Sequence, residues 1–253
     1  MTHNDLRSRR RLPRIPMTGM NLKLYGCLTM LFYSFSMSVI QNGMLHMSLL
    51  SNGQLQEILS ADPEMMILSS WAAVFQLLGG LAVPVFAFLL VEGFVHTQNY
   101  RAYLLRMLIF AVISEIPYDF AMTGQWFDWN SQNLLFTLTV CLVMLYGLRL
   151  FSASRGMQVL IVVAAVLWSG LMRSGFGLCE VLLAAAYYLL RDKPKAKLTV
   201  GSLISLMYVT GPISTFALSR YNGQRGDHWN KYIFYILYPA HLLVLGLIAH
   251  WIA

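Results

Sequence analysis

The sequence predicts an all-α, polytopic transmembrane helix bundle, and three observations carry that prediction. The 253 residues are 57% hydrophobic, with a mean hydropathy of +0.58. Only 11% are charged, against roughly a quarter in soluble domains. Apolar stretches approaching the about 20 residues that a bilayer crossing needs recur along the whole chain. Together these exclude a Rossmann domain, a nucleic-acid-binding module and a secreted disulfide scaffold. A net charge of +7 raises the question of a nucleic-acid partner, but the basic residues sit at the ends of the apolar stretches, where they set topology. Cys27, Cys141 and Cys179 each lie inside an apolar run without CxxC spacing, so they read as small packing residues.

About eight helices follow in order, forming one transmembrane domain over residues 22–253. A basic cytoplasmic segment, 1–21, with Arg7, Arg9, Arg10, Arg11 and Arg14, precedes the first helix at 22–40; no small-residue cleavage site follows, so it reads as an anchor. The loop at 41–65 carries Glu57, Asp62 and Glu64 but no Lys or Arg, as expected of an exported loop. The second stretch, 66–95, is interrupted by Gly79, Gly80 and Pro84. It reads as one kinked crossing, with a short interfacial piece plus a crossing as the alternative. The remaining helices are expected at 101–122, 134–151, 157–171, 176–190, 198–218 and 231–252.

Eight crossings place both termini in the cytoplasm. That orientation puts 14 of the 18 Lys and Arg inside and leaves Arg173, Arg220, Arg225 and Lys231 outside. Trp71, Trp126, Trp129, Trp168, Trp229 and Trp251 fall near predicted helix ends, where amphipathic rings prefer the headgroup layer.

Charged groups inside a bilayer cost roughly 2.5–3.5 kcal/mol each on insertion scales, so they mark the places to look for function. Glu92 and His96 stand one helical turn apart, near Arg101 and Arg106, on the expected cytoplasmic side. Glu115 and Asp119, again one turn apart around Pro117, stand in the outer third. A carboxylate beside an imidazole can orient it for general-base work; a helix-end ion pair with the arginines is the plain structural alternative. For Glu115 and Asp119 the alternatives are hydrogen bonding to backbone freed by Pro117 and proton coupling. His241, beside Pro239, is expected in the outer half, as a base or as a helix-to-helix hydrogen bond. Tyr221 to Gly226 reads as an outer turn tipped by Arg225. No P-loop, Gly-x-Ser-x-Gly or His-x-x-x-His is present, and no metal site is expected.

Two segments are similar to the TraX family. Pro84 to Phe94 followed by His96-Thr97, Tyr103-Leu104-Leu105-Arg106 and Ser114-Glu115-Ile116-Pro117-Tyr118-Asp119 resembles its central signature. Gln132-Asn133 before Phe136-Thr137, Tyr221-Asn222-Gly223, Arg225-Gly226 and Tyr238-Pro239-Ala240-His241 resemble its later part. The resemblance implies a multi-pass protein of the bacterial inner membrane, related to conjugal-transfer proteins that acetylate pilin. It implies acetyl-CoA from the cytoplasm as co-substrate and a pilin-like peptide or other acceptor. It carries over to Glu92, His96, Arg106, Glu115, Asp119, Asn133, Asn222, Arg225 and His241.

The chain departs from the family pattern in three places. Tyr33-Ser34 stands where the first helix usually has Asp-His, Gly79-Gly80 where it usually has Gly-Arg, and Gly175 to Gly177 near a usual Asp-Tyr-Gly. Three readings therefore stand. The first is an acetyltransferase with His96, Glu92 and His241 catalytic and Arg101, Arg106, Glu115, Asp119, Asn133, Asn222 and Arg225 binding substrate. The second is a non-catalytic assembly partner, and the third a proton-coupled transporter. The lipid bilayer is an expected partner of such a chain; no nucleic acid is expected.

Overall fold

The computed structural model describes residues 16–47, 50, 52–226, 229 and 232–253. The run from Arg7 to Arg14, and Lys231, lie outside the described residues. Among the described residues the structure is helical, with one isolated parallel bridge between Met17 and Tyr221. Helix α1 spans Gly19–Phe35 and continues as a π-helical segment over Ser36–Met44. Then come α2 (Asn52–Ala61), α3 (Pro63–Gly80), α4 (Ala82–His96), α5 (Tyr100–Thr123), α6 (Leu134–Leu150), α7 (Arg155–Leu171), α8 (Gly177–Leu189), α9 (Pro194–Ser205), α10 (Gly211–Leu218) and α11 (Tyr232–Ile252).

Local chemistry sets many of these boundaries. Thr18, Asn99, Asn133 and Ser154 each accept a hydrogen bond from a first-turn amide of α1, α5, α6 and α7. Asp62 caps α3 ahead of Pro63, which needs no amide partner. Gly124, at φ +73°, ends α5 in the left-handed region. The second apolar stretch is one kinked helical run: α3 and α4 are separated by Leu81 alone, whose amide bonds Leu78 three residues back. Gly79 is there because α1 passes so close that a Cβ would overlap Tyr33.

Among the described residues three helical stretches are long and apolar enough to cross a membrane: Gly19–Met44, Pro63–His96 and Tyr232–Ile252. The apolar helices α6, α7 and α8 are shorter. The outer surface is apolar. Leu105, Leu108, Ile109, Val112, Ile113 and Ile116 of α5 are exposed, as are Val159, Leu160, Val163, Leu167 and Leu171 of α7. A belt of that size has no place on a soluble monomer and fits contact with lipid tails. All six tryptophans are exposed. At the centre α4 packs on α1, α6, α8 and α10, with Val85, Ala87, Phe88, Leu90 and Val91 buried.

One of the expected crossing helices is two short ones. The stretch 198–218 is split into α9, of 12 residues, and α10, of 8 residues. At 1.5 Å per residue these span about 18 and 12 Å, too short for the about 30 Å hydrocarbon core. They form a hairpin that enters and leaves at the same level: Lys197 of α9 lies over the Phe88 ring, 4.9 Å from its centroid, and Tyr221, just past α10, packs edge-on to that ring at 5.2 Å. At the tip Tyr208 donates to the Gly175 carbonyl and Thr210 to that of Leu77; on the way back Ser214 donates to Leu81 at 2.6 Å. α8 and α4 cover one face of the hairpin, where Gly201, Ser205, Gly211 and Ser214 are buried, while Leu203, Leu206, Val209 and Ile213 are exposed on the other.

The hairpin reverses everything after it. Gly19 at the start of α1 abuts the Arg225 carbonyl, whereas Gly43 at the far end of the π segment abuts Ala249 of α11. Among the described residues the start of α1 and the end of α11 therefore lie at opposite ends of the bundle, unlike the expected arrangement with both on one side. Arg220 and Arg225 belong with the start of α1, not opposite it, and His250 packs on Phe120 at the far end of α5. The charge asymmetry sharpens. Of the described basic residues, Lys23, Arg101, Arg106, Arg149, Arg155, Arg191, Lys193, Lys195, Lys197, Arg220 and Arg225 lie toward one end, and Arg173 alone lies at the other. Glu57, Asp62, Glu64, Glu115, Asp119 and Asp128 lie toward that second end. These are called the basic and acidic ends below.

Candidate functional site

A cavity of about 580 Å³ opens at the basic end between α1, α4, α5, α11 and the 221–226 turn. The turn is tied to α1 through backbone: the Gly19 amide donates to Gln224 at 2.8 Å and that of Met20 to Arg225 at 2.9 Å. Two amides that a helix N-terminus leaves unpaired are thereby satisfied. The tie also fixes Arg225 beside Lys23, close enough for the two charges to repel.

The mouth holds Lys23, Glu92, His96, Arg106 and Arg225, four basic side chains against one acid. Among the described residues none of Lys23, Arg106 and Arg225 has a carboxylate within 4.0 Å. Arg106 bonds Tyr235 and lies 6.0 Å from the Tyr103 ring centroid, yet its Nε is buried without a partner. A buried guanidinium nitrogen without a partner is a donor that an anion can satisfy. Glu92 is occupied locally. Tyr221 donates to it, and the phenol is held above its ordinary range by burial and by that carboxylate. His96 Nδ1 donates to the Glu92 backbone carbonyl at 2.8 Å, with the Glu92 carboxylate 3.8 Å away, which leaves Nε2 facing outward.

Below the mouth the lining turns apolar. Cys27, Met30, Phe86, Leu89, Leu90, Leu134, Leu135 and Leu138 form the walls, and Tyr238 stands at the floor. The floor reaches the first turn of α6, so the cavity runs from the basic end toward mid-bundle. Directly behind it lies the Glu115 cluster. Asn133 donates from Nδ2 to both Glu115 and the Ala111 carbonyl, and caps α6 at the Leu135 amide. The Leu134 amide donates to the Tyr238 hydroxyl at 3.3 Å. Asp119 is buried and accepts from the Asp128 amide at 3.0 Å, which folds the 124–133 loop over the acidic end. Both carboxylates face the bundle, as the cost of lipid exposure requires.

The expected site residues thus divide. Glu92, His96, Arg106 and Arg225 share the cavity. Glu115 and Asn133 underlie its floor. Arg101 is exposed on the first turn of α5, outside the lining; Asn222 braces the turn by accepting from the Gln224 amide; Asp119 shapes the far loop. His241 is at mid-bundle, not in one half. Its Nε2 meets Ser34 Oγ at 3.1 Å and its ring is edge-on to Tyr238 at 5.6 Å.

Sequence reasoning passed over several residues that the fold brings in. In the sequence Lys23 is one of the cations that set topology, although the spacing Lys23, Cys27, Met30, Ser34 keeps a single helix face. Glu180, unremarked inside an apolar helix, is fully buried with both carboxylate oxygens unpartnered among the described residues. It lines a small void with Tyr33 and Gly79 that shares Met30, Phe86 and Leu134 with the main cavity.

The model of the family described as TraX protein matches residues 46–249, most of the chain. The chain belongs to the TraX family. Among curated proteins it is similar to one named a probable fimbrial assembly protein FimC, serogroup H1, from Dichelobacter nodosus, with 26% identity over 196 residues covering 66% of this chain and 79% of that protein. No solved structure matches. The family match takes in α3 to α6 and most of α11, hence the central signature; Lys23, Cys27, Met30 and Ser34 of α1 lie before it.

Proposed function

We propose that this TraX-family chain is a membrane-embedded acyltransferase that takes an acyl-CoA, acetyl-CoA in the first instance, into the basic-end cavity and passes the acyl group to an acceptor met deeper in the bundle. The observation that carries this reading is the buried Arg106 Nε without a partner, set with Lys23 and Arg225 at the mouth of a cavity whose depth is apolar. That gradient matches a molecule with a phosphate-bearing head and a slender arm ending in a thioester. Lys23, Arg106 and Arg225 hold the phosphates; His96, at the rim with Nε2 free, adds a fourth donor when protonated.

Orientation follows from the charges. With one described basic residue at the acidic end, the basic end faces the cytoplasm of a bacterial inner membrane, where CoA is made. The similarity to a named fimbrial assembly protein supports a pilin-like peptide amine as the acceptor. Glu115, with one carboxylate oxygen unpartnered, is placed behind the floor to meet it.

The test is calorimetric titration of the detergent-purified protein with acetyl-CoA, with CoA and with dephospho-CoA. Binding of the first two, weakened for the third, is expected. No heat with acetyl-CoA at millimolar concentration would sink the reading.

A further inference from the structure

The face of α1 that lines the cavity runs Lys23, Cys27, Met30, and its next position at helical spacing is Ser34. The lining face of α11 runs Phe234, Tyr235, Tyr238, and its next position is His241. The two faces converge on the Ser34–His241 hydrogen bond, 3.1 Å long and buried, one turn beneath the floor. From Lys23 the pair lies about 16 Å down the helix.

The pair is polarised in one sense. His241 Nδ1 is 2.9 Å from the Leu237 carbonyl oxygen, which only accepts, so Nδ1 carries the proton. In the neutral ring Nε2 then holds the lone pair, and Ser34 is the donor. The buried hydroxyls of Thr29 and Thr139 bond the carbonyl one turn back, Tyr25 at 2.9 Å and Leu135 at 2.7 Å, and those of Ser36 and Ser214 bond carbonyls of neighbouring segments, Ala72 at 2.8 Å and Leu81 at 2.6 Å. Ser34 instead bonds an imidazole on α11. Two residues later the helix unwinds into its π-helical segment, a distortion frequent at functional sites.

We propose that Ser34 is a nucleophile and His241 its general base, and that the acyl group rests on Ser34 between donor and acceptor. This rests on the acyl-CoA reading and adds to it a covalent step. Ser34 Oγ attacks the thioester carbonyl carbon. The O–C bond forms, the C–S bond breaks, and the hydroxyl proton passes through His241 Nε2 to the departing sulfur, so CoA leaves as the thiol through the basic mouth. An acceptor amine or hydroxyl then attacks the serine ester, and its proton returns through His241 to Ser34 Oγ. No further reactant is consumed. The Tyr238 hydroxyl and Leu134 amide are the polar groups on the floor that the thioester oxygen meets, and Tyr238 must turn aside for the arm to reach Ser34. A base held to a nucleophile in this way contributes roughly 100- to 10,000-fold.

The experiment incubates the full chain in detergent with radiolabelled acetyl-CoA and no acceptor, quenches in acid, and maps the label by peptide mass spectrometry, alongside calorimetric binding of acetyl-CoA. The expected result is a hydroxylamine-labile acetyl ester on Ser34, absent from Ser34→Ala although that variant still binds acetyl-CoA. Labelling should be slowed at least about 100-fold in His241→Gln. Should Ser34→Ala not fold, Ser34→Cys decides: the label should move to a thioester at the same position. Thiol release by the wild type with no label at Ser34, or with the label on another residue, overturns the covalent step and leaves the acyl-CoA reading standing. Absence of both binding and thiol release overturns both.

Discussion

Replacing Arg106 with Gln separates ligand binding from stability, because the guanidinium has no acidic partner to lose. In the folded protein it bonds Tyr235 and lies near the Tyr103 ring, contacts worth about 0.5–1.5 kcal/mol each. Against these stands a buried Nε that gives up hydration for nothing, a cost of about 1–3 kcal/mol. The two roughly cancel, so the melting temperature of Arg106→Gln in detergent should stay within a few degrees of wild type. Binding is another matter. A charge-assisted bond to phosphate is worth about 1.5–3 kcal/mol, and each 1.4 kcal/mol is about tenfold in affinity, so acetyl-CoA should bind roughly 10- to 100-fold more weakly. Calorimetry and a thermal melt on one preparation read both quantities. Unchanged affinity would refute the reasoning, since it would mean that the orphaned donor does not face the ligand; a large fall in melting temperature would show that a partner had been holding it.

Three other outcomes follow from the fold. Single cysteines at Gly223 and at Lys195 should react with a membrane-impermeant thiol reagent from the same side, and one at Trp251 from the other; labelling of Gly223→Cys and Trp251→Cys from one side would undo the hairpin topology. Gly211→Ala puts a methyl against the Ser205 carbonyl, backbone that cannot step aside, and should destabilise the protein by about 1–3 kcal/mol in thermal unfolding; a wild-type melt would show that the tip is loose. Asn133→Ala removes the α6 cap together with the bonds to Glu115 and Ala111 and should cost about 1–3 kcal/mol, whereas Asn222→Ala on the exposed turn should cost less than about 1 kcal/mol.

The sequence alone determined that the chain is a helix bundle with an apolar surface, because hydropathy is a property of each segment and needs no partner. It also marked Glu92, His96 and Arg106 as one group, since α4 and α5 are joined by a short turn and helical spacing fixes which residues share a face. The family signature, read at Pro84 to Asp119, pointed to the same place. What it did not determine is whether an apolar run crosses. Residues 198–218 are long enough to read as a span, whereas in the fold the chain turns back against α8 and α4, with Gly201 fitted closely to Tyr187 and Gly211 to Ser205. That single fold-back decided the direction of α11, the end at which Arg225 sits, and the meeting of His241 with Ser34. Residues about 200 positions apart are joined by packing between helices, and no spacing along the chain encodes that. Ser34 therefore looked like the loss of a family position until α11 placed an imidazole beside it.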